Sequence, residues 1–215
     1  MHPVSGYMMV LNEAPFLRHS VGSLLPHVDE LFVMDCGSTD ETLSLLRELC
    51  FLHPQIRVLV SPQSGGRCSV EWDEPGRRNY CLSQLLYDWT LTIDGDEYLE
   101  AESQLFRLSE FPIKLNVVNL VSGHRHIVSA QEGAGRRRFS PDYHVRYFNR
   151  SGCQYSPEPL HCEVVDRDDL VVEGVFAPGT IWHYHAFYKS RCVVFQTEPE
   201  KFELADLTAT PPIEL

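Results

Sequence analysis

The sequence predicts an α/β fold: a mostly parallel sheet with helices on both faces. Two observations carry that expectation. Through the first hundred residues, apolar runs of strand length alternate with segments whose apolar residues recur at helical spacing. Three of those runs then end in polar residues, Asn12 and Glu13, then Asp35, then Asp94 and Asp96. In a parallel sheet covered on both faces, ligands bind beyond the carboxyl ends of the strands, so those side chains mark the expected site.

The elements follow in order. The run 7–11 is short and apolar and reads as a buried strand. Pro15 suits a first helical turn, and Leu17, Val21, Leu24, Leu25 and Val28 fall on one face behind it. The run 31–34 stops at Asp35, with Gly37 as a turn residue. Ser38 and Glu41 then have the spacing of a capping box, ahead of a helix carrying Leu43, Leu46, Leu49 and Cys50. A strand is predicted over 56–60. Pro75 opens a third helix with Cys81, Leu82, Leu85 and Leu86 on its apolar face, and 89–93 is the fourth strand. Beyond residue 100 the pattern is less regular. Strands are expected over 117–121, 127–130, 145–148 and 170–175, and 133–138 reads as an exposed flexible loop. With no linker and no repeat, the chain reads as one domain over 1–215. Its halves are 1–100 and 101–207, followed by a flexible tail over 208–215.

Composition narrows the function classes. The 215 residues are 43% hydrophobic and 11% aromatic, enough to bury a large core. A net charge of −12 argues against nucleic acid as a partner, since that affinity comes from Lys and Arg on phosphates. It also disfavours docking on anionic lipid except through a local basic patch, so peripheral contact stays open. No apolar run has the length of a transmembrane segment and no signal peptide is evident. The seven cysteines are odd in number and form no C-x-x-C pair, which points to a reducing, cytoplasmic setting, with the inner face of the membrane also open. No G-x-G-x-x-G follows a strand, against a dinucleotide dehydrogenase, and no glycine-rich phosphate loop follows the first strand, against a nucleotidyltransferase.

Asp94-x-Asp96 at a strand end is the most informative element. Two carboxylates one residue apart can reach a single hard cation, Mn²⁺ or Mg²⁺, which would neutralise a diphosphate and stabilise it as a leaving group.

Asn12-Glu13-Ala14, the run 35–42 (Asp-Cys-Gly-Ser-Thr-Asp-Glu-Thr), Arg78-Asn79, and Asp88-Trp89 leading to Asp94-Gly95-Asp96-Glu97 together resemble glycosyltransferase family 2. More narrowly they resemble its small bacterial members, in order and spacing over residues 5–100. The resemblance implies a GT-A fold, a nucleotide-sugar donor, a divalent metal and inversion at the anomeric carbon. It places Asn12, Glu13 and Asp35 at the base and ribose, Arg78 and Asn79 at the diphosphate, Asp94 at ribose and metal, and Asp96 on the metal. Glu97 would stand behind them. Cys36 departs from the second polar residue usual after the aspartate; a carboxylate at Asp35 still suits the N–H of uracil or guanine, and a UDP-sugar is expected. Arg77 is an alternative diphosphate contact.

Further on, 146–150, 160–163 and 181–184 resemble later family motifs. His183 is taken as the third metal ligand, with His161 and His185 as alternatives. Glu163 is taken as the catalytic base, with Asp142 as its rival. Arg136, Arg137 and Arg138 suit either an anionic group or solvent. The function implied is transfer of a sugar from a nucleotide-sugar to a glycan or lipid-linked acceptor. The alternative is a non-catalytic nucleotide-sugar or glycan-binding module of the same fold.

Overall fold

The computed structural model describes residues 1–62, 73–102, 104–122, 125–132, 135–138, 141–157, 162–184 and 202–206. The first half is built as read from the sequence. Strands β1 (Val4–Val10), β2 (Glu30–Asp35), β3 (Ile56–Val60) and β4 (Trp89–Thr92) lie in the order β4-β1-β2-β3, every pair parallel. Helices α1 (Leu17–Leu24), α2 (Thr42–Leu52) and α3 (Glu74–Gln84) connect them, with a 3-10 turn over Leu25–His27 after α1.

Strand alternation decides which helix covers which face. Val4, Met8 and Val10 of β1, with Leu31 and Val33 of β2, pack against Leu17, Val21 and Leu24 of α1 and Leu46 and Leu49 of α2. Tyr7, Met9, Phe32 and Met34 point the other way and meet Cys81, Leu82 and Leu85 at α3. Strands β1 and β2 are therefore buried on both faces, as the near-continuous apolar runs require, while β3 at the edge is only partly covered.

The second half converts the sheet to a mixed one. Strand β5 (Glu97–Glu100) follows β4, then α4 (Gln104–Leu108), β6 (Ile113–Ser122), β7 (Arg125–Glu132), β8 (Gly135–Arg138) and β9 (Tyr143–Asn149). A small antiparallel hairpin, β10 (Cys153–Tyr155) with β11 (Val164–Asp166), precedes β12 (Val175–His183) and β13 (Phe202–Asp206). Strand β9 pairs antiparallel with both β4 and β6, and β12 pairs parallel with β6 and antiparallel with β5. The α/β class stands, and parallel pairing is concentrated in the first half.

Four local expectations are corrected. Residues 170–175 are not a strand, apart from the isolated bridge of Val171 to Val165; the strand begins at Val175 and runs to His183. Residues 135–138, expected in a loop, form β8 against β7. The capping box does not form, because the Ser38 hydroxyl accepts the Asn12 N–H while Asp40 Oδ1 accepts the Thr42 N–H. Leu86 lies beyond the end of α3 and is exposed. The tail 208–215 lies outside the described residues.

Among the described residues Cys50, Cys81, Cys153 and Cys162 are free thiols. No helix among them is long and apolar enough to cross a membrane.

Candidate active site

Strand direction gathers the site. The carboxyl ends of β1, β2 and β4 lie side by side and lead to Asn12 and Glu13, to Asp35, and to the loop 94–97. Because β9 is antiparallel to both β4 and β6, β6 runs with β4, and β12 runs with β6. Asn119 and His183 are thereby delivered in register to the same edge.

The loop after β4 is tightly tied. Glu97 Oε2 accepts the Asp94 N–H at 2.8 Å, and the Glu97 N–H donates to the Asp94 carbonyl at 3.0 Å. The Gly95 carbonyl accepts from the Ser20 hydroxyl at 2.8 Å. A Cβ at Gly95 would lie 2.8 Å from Glu13 Cγ and 2.8 Å from Val10 Cγ1, so only glycine allows the loop to close over Glu13. Glu97 Oε1 pairs with Arg146 Nη2 at 2.6 Å, both side chains nearly out of solvent. Burial alone would lower the Arg146 pKa, but the Glu97 and Asp94 charges outweigh it and raise it. A buried pair of this kind contributes geometry more than net stability.

The two aspartates face different partners. Asp94 accepts from Arg78 Nη2, at 3.1 Å to Oδ1 and 3.4 Å to Oδ2. Burial opposes the charge on Arg78, yet its pKa is raised well above the ordinary value, with Asp94 the main counterweight. Asp96 is buried, accepts the Tyr184 N–H on its carbonyl at 2.9 Å, and has Oδ2 3.4 Å from His183 Nε2. His183 Nδ1 lies 2.8 Å from Asn119 Oδ1, which directs Nε2 toward Asp96. Burial would lower the His183 pKa, but Asp96, then Glu97 and Asp94, raise it. The carboxylate is the hard oxygen donor that Mn²⁺ or Mg²⁺ takes, and the imidazole beside it is a borderline nitrogen donor that suits Mn²⁺ better than Mg²⁺. Among the described residues no three His, Cys, Asp or Glu side chains converge on one point, since Asp94 is turned to Arg78.

On the neighbouring strand Asp35 Oδ1 accepts the N–H groups of Gly37 and Ser38, each at 3.0 Å. Its Oδ2 is buried with no hydrogen-bond partner among the described residues. Asn12 has a left-handed backbone, φ 57°, and its Oδ1 accepts the Thr39 N–H at 2.8 Å, tying the two strand-end loops together. Arg77 turns to the Ser61 carbonyl at 3.0 Å and lines a cleft with Met34, Tyr80 and Asp73, away from Arg78.

Comparison with known proteins decides the family. The model of "Glycosyl transferase family 2" matches residues 7–170, which span every motif from Asn12 to Glu163. The chain belongs to glycosyltransferase family 2. An uncharacterized glycosyltransferase of Rickettsia felis is 31% identical over 104 residues, covering 48% of this chain and 32% of that protein. The lipopolysaccharide core biosynthesis glycosyltransferase LpsC of Rhizobium meliloti is 30% identical over 98 residues, covering 46% and 33%. The chain thus spans about a third of the length of these curated relatives. Among solved structures, S. aureus TarS 1–349 in complex with UDP is similar at 19% identity and a TM-score of 0.45, over 70% of this chain and 47% of that one.

For a glycosyltransferase family 2 chain, the remaining site residues are placed as follows. Asn79 Nδ2 donates to the Tyr155 carbonyl at 3.1 Å and Oδ1 accepts the Tyr155 N–H at 2.7 Å, so the amide expected at the diphosphate is engaged with the β10–β11 hairpin. Glu163 is exposed at the mouth of that hairpin, where the Ser156 N–H donates to its carbonyl at 2.8 Å and its N–H donates to the Ser156 hydroxyl at 3.1 Å. Burial pushes the adjacent Cys162 thiol up to about 11, and Arg78, Glu74 and Asp94 all act on it, which sets this segment beside the Arg78–Asp94 pair. Asp142 instead has Oδ2 3.1 Å from His144 Nε2. His161 and His185 lie outside the described residues, as do the side chains of Arg136, Arg137 and Arg138. The sequence reading missed Tyr7, Tyr155 and Asn119. The available signal was a phenol inside the buried run 7–11, where a hydroxyl needs a partner.

Proposed function

We propose that this domain transfers a sugar, with inversion, from a nucleotide-sugar donor to a hydroxyl of a glycan or lipid-linked acceptor. The reading takes a UDP-linked donor and a Mn²⁺ or Mg²⁺ ion. What carries it is the loop 94–97, with Asp96 against His183 on one side and Asp94 against Arg78 on the other. Residues 1–100 hold the donor in this reading, and 101–207 face the acceptor.

Placement supports each role in this reading. Asp35 Oδ2, buried and unmatched among the described residues, accepts the base N–H. The strand-end loops carrying Asn12 and Glu13 wall the nucleotide. Arg78 directs its fork at the diphosphate, the geometry arginine suits better than lysine. Asp96 and His183 hold the cation, with Asp94 joining it or the ribose. When bound, the ion supplies positive charge against the developing diphosphate. Glu163 takes the proton of the acceptor hydroxyl as its oxygen attacks the anomeric carbon. The carbon–oxygen bond to the diphosphate breaks with its electron pair leaving on the phosphate oxygen.

The test is a panel of nucleotide-sugars, with Mn²⁺ and with excess chelator, scored for slow donor hydrolysis. Metal-dependent release of UDP from one donor supports the reading. Tight donor binding with no turnover, in the presence of acceptor glycans as well, replaces it with the binding-module alternative.

A further inference from the structure

Arg78 is held from three directions. Its Nε donates to Glu74 Oε1 at 2.9 Å, Nη2 to Asp94, and Nη1 to the Tyr7 phenol oxygen at 3.4 Å. A guanidinium has donors only, so Tyr7 accepts in that contact and its own proton is free to donate elsewhere. It donates to the Tyr155 hydroxyl, 2.5 Å away. Arg78, Tyr7 and Tyr155 are thereby joined in one hydrogen-bonded chain. Tyr155 also lays its ring face beneath the guanidinium, with Cζ 5.4 Å from the ring centroid. Its backbone is clamped by Asn79, the residue after Arg78 on α3.

Packing alone does not call for these hydroxyls. Tyr7 is 0% exposed and Tyr155 6%, in a cluster of Met9, Met34, Cys81, Leu82 and Phe148. Two phenylalanines would fill such a space without the cost of burying polar oxygens. Burial raises both phenol pKa values, so both groups stay protonated and the chain stays intact over the ordinary pH range.

We infer that Tyr7 and Tyr155 are positioning residues that aim the Arg78 fork at Asp94 and, resting on the donor reading above, at the diphosphate. Tyr155 belongs to the hairpin that bears Glu163. It fixes the acceptor-side segment and the donor-side arginine in one register.

The experiment has two arms. In the first, nitrogen-labelled arginine is followed by NMR. Wild type should show Arg78 with slowed guanidinium rotation, and Tyr7→Phe and Tyr155→Phe should each release it while the thermal midpoint stays close to wild type. In the second, UDP with Mn²⁺ is titrated calorimetrically. Each variant should weaken binding by about 5–10-fold, the scale of one ordinary intramolecular hydrogen bond. The double variant should be no weaker than either single one, and neither change should matter in an Arg78→Gln background. An Arg78 side chain still locked in both phenylalanine variants overturns the inference, whatever UDP does. Penalties that add to that of Arg78→Gln overturn it too, because a general core defect would behave that way. A wild type that binds no UDP defeats the donor reading, and the NMR arm then decides the inference alone.

Discussion

Asp96 Oδ2 and His183 Nε2 stand 3.4 Å apart, although one sits in the loop after β4 and the other ends β12. The contact exists because β12 joins β6 in parallel and β5 in antiparallel register, which sets His183 opposite both Asn119 and Glu97. Asp96→Asn keeps the size and one acceptor for His183 while removing the charge a cation needs. The Mn²⁺-dependent gain in UDP affinity should fall by about tenfold or more, roughly 1.4 kcal/mol or above, with the fold intact by circular dichroism. Equal UDP affinity of wild type in Mn²⁺ and in excess chelator would rule out a metal at this pair.

Gly95 is a second point of vulnerability. Its absent Cβ is the space occupied by Glu13 and Val10, both fully buried, so Gly95→Ala must push the loop outward. Overpacking of this sort costs about 1–3 kcal/mol. Urea denaturation should show that loss, and the same variant should lose the Mn²⁺-dependent gain because Asp94 and Asp96 move with the loop. Wild-type stability would show that the close approach is not maintained in solution.

These contacts mark where the sequence is legible and where it is not. The parallel half could be read because the central strands β1 and β2 are buried on both faces and the helices show a plain apolar stripe, as in Leu17, Val21 and Leu24. The placement of Asp35, Asp94 and Asp96 at or after strand ends could be expected because strand ends and motif spacing are local. The capping box failed because Asn12 reaches across from another strand end and takes the Ser38 hydroxyl first. Strand β12 was misplaced because Pro178 and Gly179 interrupt its pattern; Gly179 has φ 142° at a register shift between Phe176 and Thr180. Its pairing with β5 and β6 is long-range, and no short window contains it. Pairing of His183 with Asp96 and of Asn79 with Tyr155 is likewise a property of topology.

Asp35→Asn separates two functions of one carboxylate. The amide oxygen can still accept from Gly37 and Ser38, preserving the loop, but an NH₂ replaces the buried Oδ2 acceptor. A donor then faces the base N–H, and uridine nucleotides should bind more weakly by about 1–3 kcal/mol. Thermal stability should change little. Calorimetry with UDP and ADP measures the discrimination, which should favour UDP in wild type and narrow in the variant; a wild-type preference for ADP would defeat the assignment.

The proton acceptor distinguishes an enzyme from a binding module. Inverting transfer needs a carboxylate on the acceptor side, within hydrogen-bond reach of the attacking hydroxyl. Asp94 and Asp96 are committed to Arg78 and His183, and Glu97 to Arg146. Asp142 has a partner in His144. Glu163 offers an exposed side chain on a backbone fixed by Ser156, and its hairpin is tied to α3 through Asn79. Glu163→Gln should therefore leave UDP affinity unchanged and lower turnover by about 10²–10⁴-fold, the scale of a positioned base. Glutamine keeps the size and an acceptor oxygen, so a loss of that size reports proton transfer rather than packing. Asp142→Asn is the matching control and should be mild, since His144 can still hydrogen-bond to the amide. A near-normal Glu163 variant beside an inactive Asp142 variant would transfer the role to Asp142.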